Sequence, residues 1–153
     1  MSEPAALPVA QQHPLATAVA VLRAAAPADT SAPQHWPRWA VLLPHVLAAV
    51  SLVDDTADAD VAGDTSWLLE CAGSYVHTQG RPRQARPLLE RAVALAETAY
   101  GPEHPIVGNH LYTLGVIVRV LGDFAAARPL AERALAITET AYWPEHPDVG
   151  TAL

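Results

Sequence analysis

Few residues in this chain are of a type that could do covalent or metal chemistry, and their spacing argues against each role in turn. Cys71 and His77 offer a thiol and a base. A nucleophile and its base must lie within hydrogen-bond reach. Residues six apart on a helix point to different faces, because helical neighbours are three or four apart. Cys71 is therefore expected to be a small core residue. Ser74 follows Gly73, but the surrounding pattern is helical and not the strand-to-helix elbow that exposes a catalytic serine. Seven histidines raise the question of a metal. No His-x3-His pair occurs, no carboxylate joins a histidine at ligand spacing on one face, and Glu103-His104 and Glu145-His146 belong to different turns. Asp58-Ala59-Asp60 has the spacing that opens a calcium loop. Ala62 then stands where a third ligand is needed, and Leu69 where the bidentate Glu belongs. The expectation is a protein that is not an enzyme and has no catalytic residue, metal or cofactor.

What the sequence does specify is a repeat. Six of the eight glycines form three pairs 42 residues apart: Gly73 and Gly115, Gly80 and Gly122, Gly108 and Gly150. The run from Arg86 to Tyr100 returns from Arg128 to Tyr142, and Pro102-Glu103-His104-Pro105 returns as Pro144-Glu145-His146-Pro147. Self-similarity at a fixed period implies stacked supersecondary units sharing one continuous core. Gly80 and Gly122 mark helix ends. Gly73 and Gly115 fall inside helices, where glycine costs about 1 kcal/mol relative to alanine. A cost repeated at the same place implies close helix approach, with Ala85 and Ala127 as the facing small residues. Pro87 and Pro129 fall inside the trailing helices and imply a bend common to both units. Pro105 and Pro147 suit first turns, and His104 and His146 are expected to hydrogen-bond backbone there.

Composition limits the partners. The chain has 153 residues, 51% of them hydrophobic, enough for one domain that buries roughly 70% of its unfolded surface. Nine arginines and no lysine suggest a high-GC bacterial genome. A net charge of −7 argues against nucleic acid or an anionic membrane as partner, and the patch Arg81, Arg83 and Arg86 is too small to reverse that. A single cysteine leaves no internal disulfide, so the reading is cytoplasmic. The apolar run Pro14–Ala28 lacks a preceding cation and is interrupted by Arg23, unlike a secretion signal.

The expected organisation is a flexible terminus over 1–13, N-terminal helices and an acidic loop over 14–63 capping the array, and the array itself over 64–153. The first helices span 14–26 and 37–53. Asp54, Asp55, Asp58 and Asp60 make a surface connector ending at Asp64, which caps the next helix. Helices then follow at about 64–78, 81–99, 106–121 and 123–141. The repeats run about 64–105 and 106–147, and a truncated third begins at 148. Trp143 replaces the turn glycine found at Gly101.

Leu114-Gly115 mid-helix, Gly122 at the turn, and Ala127 and Ala134 on the trailing helix resemble the tetratricopeptide repeat. That repeat is commonly about 34 residues long. The longer unit, with Gly-Pro-x-His-Pro between repeats, resembles the kinesin-light-chain type. Trp36-Pro37-Arg38-Trp39 followed by Leu42-Leu43-Pro44-His45 resembles the lead-in to the C-terminal repeats of actinobacterial STAND (NB-ARC) signalling ATPases. The chain lacks the Gly-x4-Gly-Lys phosphate loop of their switch, which would leave it the sensor arm or a stand-alone relative. The resemblance implies an all-α fold of antiparallel helix pairs stacked as a right-handed α-solenoid. It further implies a concave groove lined by the leading helices, here Trp67, Glu70, Ser74 and His77, then Asn109, Tyr112, Val116 and Arg119. Spacings of three and four put each set on one helical face. An Asn pair common in relatives is replaced by Tyr112 and Thr113. The implied function is binding of a protein or peptide, as adaptor or sensor arm, with Trp67, Tyr112 and Arg119 as anchors. The alternative is a self-assembling element, a homo-oligomer through residues 143–153.

Overall fold

The computed structural model describes residues 9–142. Trp143, the second Glu-His-Pro loop, the third repeat and the dimer contact through 143–153 lie outside the described residues. Among the described residues every regular element is helical: α1 (Val9–Ala25), a short 3-10 turn (Pro33–His35), α2 (Trp36–Ser51), α3 (Ala59–Thr78), α4 (Pro82–Tyr100), α5 (Pro105–Val120) and α6 (Phe124–Tyr142). α3 pairs with α4, α5 pairs with α6, and α4 packs on α5, giving an all-α solenoid of stacked helix pairs.

The two turns within the pairs are built alike, as their identical spacing requires. Gly80 and Gly122 take φ of +78° and +85°. Each is followed by an amide that reaches back into the helix: Arg81 N donates to Val76 O at 3.2 Å, and Asp123 N to Val118 O at 3.1 Å. This glycine-dependent closure satisfies carbonyls that the helix end would leave unpaired. At the corner between repeats, His104 Nδ1 accepts from Ile106 N at 3.2 Å and caps α5, with Pro105 in its first turn.

Two boundaries differ from expectation. α3 begins at Ala59, five residues before Asp64. Asp58 is the cap, its Oδ1 accepting from Val61 N at 2.9 Å, and Asp60 adds a favourable negative charge to the first turn. The gain behind the earlier start is burial of Ala62 and partial burial of Val61. The acidic connector is correspondingly shorter. Its Asp54 is occupied by Thr56, whose amide and hydroxyl bind Oδ1 at 2.8 and 2.5 Å. Those two hydrogen bonds hold the Asp54 carboxyl below its ordinary range. α1, in turn, starts upstream of Pro14, which lies inside the helix instead of in its first turn.

α1 and α2 both pack on α3 and extend the core of the repeats. Trp39 is wholly buried, stacks on Tyr75 with ring centroids 5.9 Å apart, and gives its indole N–H to Pro27 O at 3.0 Å. Arginines of the trailing helices tie each unit to the one before. Arg91 donates to the carbonyl of Val53. Its counterpart Arg133 reaches Glu97 Oε1 at 2.9 Å and Pro102 O at 3.2 Å.

Candidate partner-binding face

The eight groove positions lie on α3 and α5, and the structure treats the two sets differently. On α3 they are engaged within the chain. The Arg23 guanidinium of α1 lies over the half-buried Trp67 ring, 5.2 Å from its centroid, and pairs with Asp64 at 2.5 Å. Glu70 Oε1 accepts from Ser74 Oγ at 3.0 Å, and the Thr113 hydroxyl of α5 lies 3.4 Å from it and 3.2 Å from Asn109 O of its own helix. His77 is half-buried, with an Nδ1 that has no partner.

On α5 the set faces outward. Asn109 and Arg119 are exposed, and the Tyr112 side chain is 66% exposed. Tyr112, Val116 and Arg119 converge with Phe124, Arg128 and Ala131 of α6 around a hollow of about 440 Å³ beside Gly115.

The repeat explains why the hollow opens beside Gly115. A Cβ placed on Gly73 would lie 1.9 Å from Leu89 Cδ2, so Leu89 fills the space over that glycine. Close approach is thus the reason for Gly73, although the neighbour is Leu89 and not the Ala85 side chain. The same reason does not hold at Gly115. A Cβ there would find nothing nearer than Leu130 Cβ at 3.7 Å. Ala131 stands where the first repeat has Leu89, and the missing isobutyl group leaves the space open. The α6 residues of this site escaped a reading confined to the leading helices. The signal was present in the differences between repeats: Glu70 becomes Tyr112, Pro82 becomes Phe124 and Leu89 becomes Ala131.

Behind this face lies a polar link that the sequence reading also missed. Ser66 Oγ donates its one proton to Ala92 O at 2.7 Å, so it accepts from His110 Nε2 at 2.9 Å. That fixes the proton of His110 on Nε2 and leaves Nδ1 buried without a partner. Burial lowers the His110 pKa from 6.5 to about 4, so the ring is neutral at pH 7.

Cys71 is buried, and that burial, with the Glu70 charge beside it, pushes the thiol far above its ordinary range. A thiol so protonated is a poor nucleophile. Among the described residues no three His, Cys, Asp or Glu side chains are grouped to hold a metal ion. No described helix is long and apolar enough to cross a membrane.

None of the curated proteins compared with this chain matches it. The family model described as tetratricopeptide repeat matches residues 64–153, more than half of the chain, and repeats of this kind generally mediate protein–protein interaction. The matched span begins where the internal repeat begins and includes α5 and α6 with their hollow. The chain belongs to the tetratricopeptide repeat family.

Proposed function

We propose that this chain is a non-catalytic protein- or peptide-binding module that takes its partner on the face of the leading helices, centred on Tyr112, Val116 and Arg119. The observation behind this reading is the exposed Tyr112 ring, set beside an aliphatic and a cationic side chain at the mouth of a hollow. Aromatic and arginine side chains in such a setting supply most of the energy in protein interfaces. On the α3 half of the groove Arg23 already lies over Trp67 and Ser74 already binds Glu70, so the α5 half supplies the free anchors. Asn109 extends the contact by one helical turn. The 42-residue period and the Glu-His-Pro loop favour the kinesin-light-chain type, and the Trp-rich lead-in favours the sensor arm of a STAND-class signalling ATPase.

The test is affinity capture from a high-GC actinobacterial lysate, read by mass spectrometry, with wild type beside a Tyr112→Ala/Arg119→Ala double variant. A protein held by wild type and lost by the variant, at unchanged helicity, is the expected outcome. Equal capture by both would refute the site.

A further inference from the structure

α1 and α2 form a helix pair ahead of the two repeats, and α2 packs on α3 as α4 packs on α5. Val46 and Val50 of α2 are buried like Leu89 and Val93 of α4. That correspondence sets Val41 at the place of Gln84, and Leu43 and Leu47 at the places of Arg86 and Glu90. On the repeats those last two positions hold a surface ion pair: Arg86 with Glu90 at 2.8 Å, and Arg128 with Glu132 at 2.9 Å. α2 has leucines instead, and its outer face is apolar. Val41 is 67% exposed and Leu52 58%, and Pro44, Leu47 and Ala48 are exposed with them. A neighbouring repeat does not account for this face. α4 has a helix pair on each side, yet its helix contacts are with α3 and α5 alone, and Gln84, Pro87 and Glu90 stay exposed. Charge is confined to the two ends of α2. Arg38 stands in its first turn, where its Nε donates to Ala25 O at 2.7 Å, and the exposed Asp55 follows its last turn.

We propose that the outer face of α2 is a self-association surface, and that it takes α2 of a second copy of this chain running antiparallel to it. A two-fold contact needs a patch that complements itself. This one does, with a cation at one end, an acid just past the other and apolar side chains between. Laid with Pro44 against Ala48 of the second copy, Val41 meets Leu52 of the second copy and the two Leu47 side chains meet each other. The same register brings Arg38 to Asp55 of the second copy, and the symmetry makes that contact twice. A parallel pairing would set Arg38 against Arg38 and Asp55 against Asp55, where like charges repel. With 16 residues α2 is about 24 Å long. The seam is therefore shorter than that of a standard interface, and the dimer is reversible. This surface is separate from Tyr112, Val116 and Arg119, so the proposal stands or falls independently of the function proposed above.

Sedimentation equilibrium of the whole chain over a range of concentrations reads the mass, and a reversible dimer is expected. Leu47→Glu gives α2 the residue that α4 and α6 carry at this place, so the fold should keep its circular dichroism. It sets two unpaired carboxylates face to face and should weaken the dimer at least about tenfold. Arg38→Glu and Asp55→Arg each bring like charges together and should each weaken self-association at least about tenfold when alone. Both suit the dipole of α2, an acid near its start and a base after its end. An equal mixture of those two variants should regain the dimer as one copy of each, because both end contacts then pair opposite charges again. A wild-type chain that stays monomeric at every concentration, or a mixture that stays monomeric, would overturn the proposal. So would a dimer that survives Leu47→Glu and dissociates with Leu135→Glu, on the exposed side of α6.

Discussion

The same substitution made at two equivalent glycines should change stability in different directions. Replacing a mid-helix glycine by alanine removes backbone freedom from the unfolded chain and gains about 1 kcal/mol. At Gly115 the new methyl group meets nothing closer than 3.7 Å, so Gly115→Ala should keep that gain. At Gly73 the methyl would stand 1.9 Å from Leu89 Cδ2, with Leu89 Cγ and Ala85 O at 3.4 Å. Leu89 is wholly buried, so its isobutyl group can turn away from a new methyl only by displacing close-packed neighbours. Overfilling such a site costs about 1–3 kcal/mol, which cancels or exceeds the helix gain. The two variants should therefore differ by about 1–3 kcal/mol. In a chain of this size each kcal/mol is worth about 2–4 °C in Tm. Thermal unfolding and urea midpoints of wild type and both variants in one buffer would read the difference. A double-variant cycle sharpens the test: with Ala131→Leu in place, Gly115→Ala should lose its advantage, because the second repeat then has the lining of the first. Equal effects at Gly73 and Gly115, or no coupling between positions 115 and 131, would refute the packing argument.

His110 supplies a pH prediction. Its folded pKa lies near 4 against the ordinary 6.5 of the free imidazole, so between those values the unfolded chain binds a proton that the fold refuses. Stability should rise with pH through that window and fall as pH drops from 6.5 towards 4, by about 3 kcal/mol in all. His110→Gln should flatten that part of the profile in urea titrations across the same range; an unchanged slope would exclude His110 as its source. Val93 and Leu135 test which face is covered. Val93→Asp buries an unpaired charge and should cost several kcal/mol, roughly 3 or more, whereas Leu135→Asp should stay within about 0.5 kcal/mol in chemical denaturation. Comparable losses at both positions would mean that the α6 face is also covered.

Much of the fold was legible because it is written in local spacing. A glycine with positive φ, a histidine one residue before a proline, and small residues at intervals of three and four act within a turn or two of chain, and the second repeat confirms the pattern of the first. The start of α3 was misplaced because Asp58 and Asp64 are equally good caps by residue type. What separates them is burial of Val61 and Ala62, together with Arg23 waiting for Asp64 on another helix.

The candidate site was only half legible for the same reason. Helical spacing alone places Trp67, Glu70, Ser74 and His77 on one face, and Asn109, Tyr112, Val116 and Arg119 on another. It does not say what comes to meet them. Whether Trp67 is free depends on an arginine 44 residues earlier. Whether a hollow opens beside Gly115 depends on the length of a side chain on the next helix. Which nitrogen of His110 carries the proton depends on a serine of the preceding repeat. The sequence by itself determined the repeat, the helices and their turns, since these arise from interactions between near neighbours. Only the tertiary structure decided which of the described side chains have partners, because that is settled by contacts between residues that the chain order keeps far apart.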